Sequence, residues 1–426
     1  MYKEKILFLG IGGVSTSLLA LYAKHRGATV IGYDARESET TRRLEKEGIK
    51  IYYKPRPYFT DYDYAVYSSA IKSDNPEMIK TKALNKPCIE RRDFLGFVAS
   101  MHRKVIAISG AHGKTTTTAL ISHVLLEAGF DVTSHIGGES LGRTGIGDDV
   151  FVAEACEYKG SFLSLQPDIA LILNMERDHP DCYPTDESYR LAFEAFAKGI
   201  KPGGSLIIGK REYEKLNGVA GSVVFPVLGN GIGDYNENVD FVYKDVKVAS
   251  PLKGKYNAEN IAFAIETAKL FDIDADVISK AISTFKGVKR RFERIGTVNN
   301  VPIISDYAHH PTELRKTIEV AKTYGKVFAI FQPHTYSRTA CFFDDFVKVL
   351  KECDKSAIYK TFSAREIPED GIDAKTLSEK IGSQYLENDS ELYELLNRFK
   401  GKPQGDVLLI LGAGDLDEKV RRYFQS

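Results

Sequence analysis

Residues 105–128 read VIAISGAHGKTTTTALISHVLLEA, and this stretch decides the fold class. Its apolar start predicts a buried strand, the residues from Thr115 onward predict a helix, and Gly110 and Gly113 lie in the loop between them. The glycines allow backbone N–H groups to point inward, and the start of the helix adds a partial positive charge, so the loop suits phosphate. The usual G-x-x-x-x-G-K-[ST] pattern needs a glycine where Ile108 stands, so we expect a shorter phosphate loop.

The two residues after the last glycine carry the chemistry of this loop. Lys114 would reach the outer phosphates of a nucleotide, and the Thr115 hydroxyl would hold Mg²⁺. The alternative is a glycine turn with a solvated lysine, but the order of strand, loop, Lys-Thr and helix favours a nucleotide site. We therefore expect the nucleotide to contact Gly110, Ala111, His112, Gly113, Lys114, Thr115 and Thr116.

Composition limits the remaining classes of function. The chain has 426 residues, more than a single hydrophobic core accommodates, so we expect two or three domains. Basic and acidic residues number 58 each, so no overall field favours a nucleic-acid or membrane partner. The five cysteines include no C-x-x-C pair, which suits a reducing compartment. Glycines divide the apolar N-terminal run into a strand and a helix, so we predict a cytoplasmic protein without a membrane span.

Short apolar runs alternate with helical patterns along the chain, which is typical of parallel sheets covered by helices. The sequence therefore predicts an α/β fold in three domains, at residues 1–100, 101–295 and 296–426. A stretch at 223–248 has the character of a hairpin. The predicted strands are 6–9, 30–33 and 64–68 in the first domain, 105–109, 150–154, 169–173 and 206–208 in the second, and 302–305, 327–331, 357–359 and 407–411 in the third.

The first strand is followed by a cluster of glycines that permits three interpretations. Gly10, Gly12 and Gly13, with Asp34 at the end of the next strand, resemble a dinucleotide-binding turn, but Ser15 stands where the full G-x-G-x-x-G pattern needs glycine. The shorter turn and the Ser15 hydroxyl could instead hold the diphosphate of a UDP-sugar. A tight strand-to-helix turn with Asp34 as a cap is the third interpretation, and the local sequence leaves all three open.

Polar clusters follow two strands of the second domain. Glu154 and Glu157 come directly after one strand, and Asp178 and His179 follow another. Residues at the carboxyl ends of parallel strands converge on the ligand crevice, so both clusters should face the phosphate loop. Carboxylates and an imidazole beside a triphosphate favour a metal or phosphate role over helix capping.

Similar clusters end two strands of the third domain. Asp306 and His309 follow one strand, and Arg338 lies shortly after another. These side chains suit a nucleotide ribose, a carboxylate and developing phosphate charge. Arg290 and Arg291 are either a solvated pair or a phosphate clamp.

Together, the motifs resemble the Mur ligases, the ATP-dependent amide-forming enzymes of peptidoglycan precursor synthesis, and within that family its alanine-adding branch. The resemblance covers essentially the whole chain. The motifs that carry it are FLGIGGVSTS at 8–17, SSAIKSDNPE at 68–77, GAHGKTTTT at 110–118, EACEYKGSFL at 154–163, NMERDH at 174–179, GVKRRFERIG at 287–296, SDYAHHPTE at 305–313, FQPHTYSRT at 331–339 and LGAGD at 411–415.

The resemblance implies a Rossmann-like first domain for the UDP-sugar, a central ATP-binding domain and a Rossmann-like C-terminal ligase domain. It also implies UDP-N-acetylmuramate and L-alanine as substrates, with ATP and Mg²⁺. The muramate carboxylate would attack the γ-phosphate of ATP, and the alanine amine would displace phosphate from the resulting acyl phosphate. Lys114 and Mg²⁺ would neutralise charge on the transferring group.

The resemblance also implies which residues of this chain are functional. It leaves open whether Glu154 or Glu157 binds metal directly. The implied catalytic residues are Lys114, His179, His309 and Arg338. The implied metal ligands are Thr115 and Glu154 or Glu157, with His179 at a second Mg²⁺. Further nucleotide contacts are implied for Asn260, Arg291 and Asp306. Substrate contacts are implied for Gly12, Gly13, Ser15, Ser69, Tyr307, His309 and Arg338.

Two alternatives to this function remain, because Lys114, His179 and Arg338 speak against a third, a nucleotide-binding regulatory or assembly protein that has lost catalysis. A ligase that adds a preformed tripeptide to UDP-N-acetylmuramate would have the same build and differ only in its amino-acid pocket. An oxidoreductase that uses a dinucleotide in the first domain is the alternative from another class. The oligomeric state is not indicated by the sequence.

Overall fold

The computed structural model describes residues 3–180, 182–219, 221–226, 239–364, 366 and 372–425. Within these ranges, three sheets of five or six strands follow one another along the chain, with a separate two-stranded hairpin between the second and the third, and most neighbouring strands of the three large sheets are parallel. The predicted α/β class is thereby confirmed. The described residues include no helix that is both long and apolar enough to cross a bilayer.

The first sheet is parallel throughout, with the order β3-β2-β1-β4-β5. Its central strands read as continuous apolar runs because helices cover both faces. The strand order reverses between β1 and β4, which is where a doubly wound sheet opens a ligand crevice. The elements are β1 (Lys5–Leu9), α1 (Val14–His25), β2 (Thr29–Tyr33), α2 (Glu39–Lys46), β3 (Lys50–Tyr52), β4 (Tyr64–Tyr67), α3 (Pro76–Ala83), β5 (Cys88–Glu90) and α4 (Arg91–Ser100).

The second sheet is also parallel, with the order β11-β10-β9-β6-β8-β7. Its central strand β6 leads into the phosphate loop, and helix α5 after that loop is buried along most of its length. The elements are β6 (Lys104–Ser109), α5 (Lys114–Glu127), β7 (Val132–His135), β8 (Val150–Glu154), β9 (Ile169–Ile172), α6 (Asp186–Lys198), β10 (Ser205–Ile208), α7 (Lys210–Tyr213), β11 (Ser222–Val224), α8 (Lys255–Lys269) and α9 (Ala275–Thr284), with a 3-10 turn at Tyr158–Ser164.

The predicted hairpin at 223–248 is only partly present. Strand β11 is an edge strand of the second sheet and pairs with β10 in parallel. The antiparallel hairpin consists of β12 (Val239–Tyr243) and β13 (Val246–Ser250), joined through Lys244 and Asp245. Lys244 has a φ of +53°, as a tight hairpin turn requires. Residues 227–238 of the predicted stretch lie outside the described residues.

The third sheet has the order β14-β15-β19-β16-β17-β18, and only its edge strand β14 runs antiparallel to its neighbour. Strand β14 spans the predicted domain boundary at residue 296. The elements are β14 (Glu293–Val298), β15 (Val301–Asp306), α10 (Pro311–Ala321), β16 (Val327–Phe331), α11 (Tyr336–Cys341), α12 (Phe343–Leu350), β17 (Lys355–Tyr359), α13 (Ala374–Ile381), β18 (Gln384–Leu386), α14 (Asp389–Gly401), β19 (Val407–Leu411) and α15 (Leu416–Gln425).

The start of α10 fixes the polar residues that follow β15. His310 caps the helix through Nδ1, which accepts the backbone N–H of Thr312 at 3.3 Å, and Pro311 occupies the first turn. The Glu313 carboxylate reaches back to the N–H groups of His309 and His310. This reciprocal cap holds two histidines and a glutamate at the carboxyl end of the third sheet.

Candidate active site

The phosphate loop has the backbone that its glycines predict. Gly110 and Gly113 have φ values of +139° and +84°, which L side chains rarely adopt. A Cβ added at Gly113 would lie 2.6 Å from Oδ1 of Asn260, so helix α8 approaches the loop too closely for any larger residue. The loop and α8 therefore form one wall of the site.

Lys114 forms an ion pair with Glu157, which is fully buried. Its Nζ donates to the two carboxylate oxygens at 3.0 and 3.2 Å and also to the backbone carbonyl of Gly110. Burial alone would lower the pKa of Lys114, but the Glu157 carboxylate outweighs burial and raises it. Lys114 is therefore a cation held beside the phosphate loop.

The predicted metal-binding residues lie around this ion pair. The Thr115 hydroxyl donates to Oε2 of Glu154 at 2.8 Å, and the same oxygen accepts the N–H of Gly137 at 2.9 Å. Nε2 of His179 lies 3.8 Å from Oε1 of Glu157. The structure thus places Thr115 beside Glu154 and His179 beside Glu157, which is the partner of Lys114.

A cavity opens beside the loop, between the second and third sheets. The predicted nucleotide-binding residues that line it are His112, Gly113, Thr116, Asn260, Arg291 and Asp306. Its wall also includes Tyr256, Asn257, Glu313 and Lys316, which the sequence analysis did not select.

Asp306 lies in the cavity wall as a buried carboxyl group. Its oxygens accept the N–H groups of Phe292 and Ala308, both at 2.7 Å. Burial raises the pKa of Asp306 to about 6, while the Arg291 charge opposes that shift. The two backbone contacts fix the orientation of this carboxyl group.

A network of histidines and carboxylates joins the phosphate loop to α10. His112 lies between Glu313, 3.1 Å from Nδ1, and Glu176, 3.0 Å from Nε2. Glu176 also accepts the hydroxyl of Thr312. An imidazole nitrogen of His112, an imidazole nitrogen of His310 and a carboxylate oxygen of Glu176 lie within 4.8 Å of one another. Burial alone would lower the pKa of His112, but the Glu313 and Glu176 carboxylates outweigh it and raise the pKa to about 9.

This network makes unfolding depend on pH. His112 is protonated in the folded protein up to about pH 9, against an ordinary pKa of 6.5, so it contributes stability below pH 6.5 that is lost as pH rises through 9. The quantity to compare is the free energy of unfolding of the wild type minus that of His112→Gln. We expect this difference to fall by ~3 kcal/mol as the pH rises from 6.5 to 9. Urea unfolding of both proteins at pH 6 to 10 measures the difference. A Glu176→Gln variant should show a smaller fall, and parallel curves for wild type and His112→Gln would contradict the assignment.

Arg338 and Asp178 form a buried ion pair between the second and third sheets. Nη2 of Arg338 lies 3.0 Å from Oδ1 of Asp178, and each side chain is about 6% exposed. Burial alone would raise the pKa of Asp178, but Arg338 outweighs burial and holds it well below its usual range. Nη1 of Arg338 lies 3.2 Å from Nδ1 of His334. Because a guanidinium group can only donate, Nδ1 of His334 is the acceptor. Burial and the Arg338 charge lower the pKa of His334 to about 4.

His309 is the second neutral imidazole of this region. Its Nδ1 donates to the backbone carbonyl of Tyr307 at 3.0 Å, which leaves Nε2 as the acceptor. Burial lowers the pKa of His309 to about 3. The guanidinium groups of Arg290 and Arg291 lie 4.7 and 5.1 Å from the ring centre of Tyr307. The ring centre of His309 lies 5.9 Å from that of His334, so His309 is close to the Arg338–Asp178 pair.

In the first domain, the glycine turn and Ser69 follow the neighbouring strands β1 and β4, where the strand order reverses. Asp34 accepts the N–H of Gly12 at 2.8 Å, so its carboxylate stabilises the turn. Ser15 lies at the start of α1 and hydrogen-bonds Nε2 of His135, in the second sheet, at 2.9 Å. The turn, with Gly12, Gly13 and Ser15, therefore borders the second domain.

The architecture and these contacts define an α/β enzyme in which a phosphate loop meets charged residues from two neighbouring domains. Sequence models of three domains match the chain: Mur ligase family, catalytic domain, at residues 5–103; Mur ligase middle domain, at 108–268; and Mur ligase, glutamate ligase domain, at 290–414. The chain belongs to the Mur ligase family.

Curated relatives and solved structures agree with this assignment. The UDP-N-acetylmuramate–L-alanine ligase of Clostridium perfringens is 38% identical over 97% of this chain and 96% of its own length. The enzyme of the same name from Acetivibrio thermocellus is 36% identical over 97% and 94%. The crystal structure of the UDP-N-acetylmuramate-alanine ligase of Thermotoga maritima superposes with a TM-score of 0.81 at 24% identity, covering 99% of this chain and 98% of that one. At that identity the likeness concerns the fold.

Proposed function

We propose that this chain uses ATP to ligate L-alanine to UDP-N-acetylmuramate and releases ADP and phosphate. The observation that carries the proposal is the convergence of Lys114 and Glu157 of the second domain with the Asp178–Arg338 pair, which reaches into the third. Such a site can stabilise charge on a transferring phosphoryl group and hold a carboxylate beside it. The curated relatives that cover nearly the full chain bear the corresponding name.

ATP is proposed to occupy the cavity beside the phosphate loop. The loop's N–H groups and the start of α5 would bind the phosphates. Asn260 and Arg291 would border the nucleotide, and the Asp306 carboxyl would contact its ribose, because all three line the cavity.

The residues around Lys114 fit a magnesium ion. The Thr115 hydroxyl, the Glu154 and Glu157 carboxylates and the His179 imidazole supply the mainly oxygen donors that Mg²⁺ prefers. These four side chains are the proposed metal ligands, with His179 at a second Mg²⁺. A bound Mg²⁺ would neutralise charge on the triphosphate.

In the proposed reaction, the carboxylate of UDP-N-acetylmuramate attacks the γ-phosphorus of ATP and ADP leaves, giving an acyl phosphate. Lys114 donates hydrogen bonds to the transferring group. The amine of L-alanine then attacks the acyl carbon, and phosphate leaves. Arg338 holds negative charge of the acyl phosphate or the alanine carboxylate, and Nε2 of neutral His309 accepts a hydrogen bond from the incoming amine.

The first domain is proposed to bind the sugar nucleotide. Gly12, Gly13, Ser15 and Ser69 lie at the strand-order reversal, where the diphosphate would meet the start of α1. Asp34 is engaged with the turn itself, which weakens the dinucleotide interpretation. The cysteines, none of which forms a disulfide, agree with a proposed site of action in the cytoplasm.

Phosphate release from Mg·ATP tests the proposed function. The reaction contains UDP-N-acetylmuramate and, in parallel, L-alanine, glycine, L-serine or the muramyl tripeptide. We expect release that requires the sugar nucleotide and is fastest with L-alanine. Release with the tripeptide alone would assign the chain to tripeptide addition, and no release in any mixture would contradict a ligase.

The metal assignment has its own test. We expect Thr115→Val to raise the Mg²⁺ concentration for half-maximal phosphate release by about tenfold or more, because a proposed ligand oxygen is lost. Thr118→Val is the matched control, since its hydroxyl donates to the carbonyl of Lys114 within the same helix. Magnesium titrations of both variants measure the effect. Equal Mg²⁺ dependence of Thr115→Val and wild type would contradict the assignment.

A further inference from the structure

Arg91 stands at the start of α4, directly after β5, and points across the interface between the first and second domains. Its Nη1 donates to Oγ of Ser15 at 3.0 Å, and its Nη2 donates to Oγ of Ser161 at 2.6 Å. Ser15 belongs to the first domain, and Ser161 follows Glu157 in the second. The guanidinium group therefore joins the glycine turn to the segment that carries the partner of Lys114.

Within the described residues, this half-buried guanidinium group forms no ion pair with a carboxylate, although the nearby Glu90 charge partly offsets the effect of burial on its pKa. The preceding carboxylate, Glu90, lies 3.2 Å from Arg92. Burial lowers the pKa of Arg91, which marks the cost of holding the charge away from water. The neighbouring imidazole of His135 is neutral, because burial and the Arg91 charge lower its pKa to about 3. Two serine hydroxyls do not neutralise a guanidinium charge, so the site favours an anion.

The location of Arg91 indicates which anion could reach it. Ser15 is one of the residues proposed to meet the diphosphate of the sugar nucleotide, and Glu157 holds the lysine proposed to bind the transferring phosphate. A substrate that extends from the glycine turn to the phosphate loop must pass between these points. UDP-N-acetylmuramate carries two oxyanionic groups along this path, its diphosphate and its muramyl carboxylate.

We propose that Arg91 binds an oxyanion of UDP-N-acetylmuramate and positions the muramyl carboxylate for attack on ATP. This inference rests on the proposed function and adds a substrate-binding residue to it. A guanidinium group presents five N–H donors in a fixed plane and binds carboxylate or phosphate through two parallel hydrogen bonds. The serine hydroxyls of Ser15 and Ser161 hold that plane in place before the substrate enters.

The test measures sugar-nucleotide binding to three variants by calorimetry. Arg91→Gln removes the charge and keeps a polar side chain, and Arg91→Lys keeps the charge but loses the paired donors. Arg92→Gln is the matched control, because Arg92 follows Arg91 in the same helix and also reaches the second domain, through the Lys159 carbonyl, but pairs with Glu90. Each protein is titrated with UDP-N-acetylmuramate and with UDP-N-acetylglucosamine, which has the diphosphate but no muramyl carboxylate.

We expect Arg91→Gln to weaken UDP-N-acetylmuramate binding by about 10- to 100-fold. Arg91→Lys should recover part of the affinity, and Arg92→Gln should bind as wild type does. An equal loss for both ligands assigns Arg91 to the diphosphate, and a loss confined to UDP-N-acetylmuramate assigns it to the carboxylate.

Two further measurements distinguish a loss of substrate binding from a general loss of structure. Unchanged Mg·ATP binding and thermal unfolding in Arg91→Gln would exclude a general loss of structure. Wild-type affinity of Arg91→Gln for both ligands would overturn the inference, as would a loss of affinity matched by destabilisation and not recovered in Arg91→Lys. If the wild-type protein itself bound no UDP-N-acetylmuramate, the proposed function would fail, and this outcome is distinct from failure of the Arg91 assignment.

Discussion

Replacing Lys114 with methionine is expected to slow phosphate release by at least about 10²–10³-fold. Lys114 is the first residue of helix α5, and its cationic Nζ lies beside the phosphate loop, 3.0 Å from a carboxylate oxygen of Glu157. The loss should fall on turnover, because the lysine interacts with charge that develops on the transferring phosphoryl group. UDP-N-acetylmuramate binding should stay nearly unchanged, since that substrate is assigned to the first domain.

The same substitution leaves the fully buried Glu157 carboxylate without its partner. Breaking a buried ion pair on one side costs ~3–5 kcal/mol of stability, so part of any lost activity could come from unfolding. The double variant Lys114→Met/Glu157→Gln removes both charges and should regain stability without regaining turnover. Single-turnover rates and urea unfolding of both variants separate the effects. Substantial turnover by the stable double variant would contradict the role of Lys114.

Replacing Arg338 with methionine is expected to give the second large effect, on stability and turnover together. The Asp178 carboxylate would remain buried without a cation, at a cost of ~3–5 kcal/mol. Because this ion pair joins the second and third sheets, we expect the third domain to lose protection from hydrogen exchange first. Turnover should fall by about 10²-fold or more, since Arg338 is assigned to the acyl phosphate or the amino acid.

Asp178→Asn and the double variant Arg338→Met/Asp178→Asn complete the comparison. The asparagine alone should retain part of the activity, because Arg338 and its contact with His334 remain. The double variant should regain stability relative to Arg338→Met but stay slow. Wild-type turnover in the double variant would show that Arg338 acts only in domain docking.

The fold class could be predicted from the sequence because the central strands of parallel sheets are buried on both faces. Strands such as Val327–Phe331 and Val407–Leu411 read as continuous apolar runs and were predicted with the same bounds. Short edge strands gave no such signal: Lys50–Tyr52 and Gln384–Leu386 are three residues long and partly exposed. Strand Ser222–Val224 was mistaken for part of a hairpin because pairing partners cannot be read from a local pattern. The two boundaries between the three domains stay a prediction.

The site was predictable where a residue lies directly after a central strand or in the phosphate loop. The resemblance to the Mur ligases, carried by such motifs, is confirmed, whereas the role of each residue stays a prediction. Glu313 was not selected, although it contacts His112 across two domains, because its sequence position reads as an ordinary helix-capping glutamate. Arg91 was missed for a related reason: an Arg-Arg pair at a helix start resembles a solvated surface, and only tertiary contacts reveal the arginine without a carboxylate.

The fate of the muramyl carboxylate oxygen shows whether the reaction passes through an acyl phosphate. UDP-N-acetylmuramate labelled with ¹⁸O in its carboxyl group is incubated with the protein, Mg·ATP and L-alanine, and the phosphate and sugar nucleotide are analysed by mass spectrometry. We expect one labelled oxygen to be transferred to each phosphate that is released, and we expect an alanyl adduct of the sugar nucleotide to form. Unlabelled phosphate without an adduct would show that ATP is hydrolysed by water and would contradict ligation through an acyl phosphate.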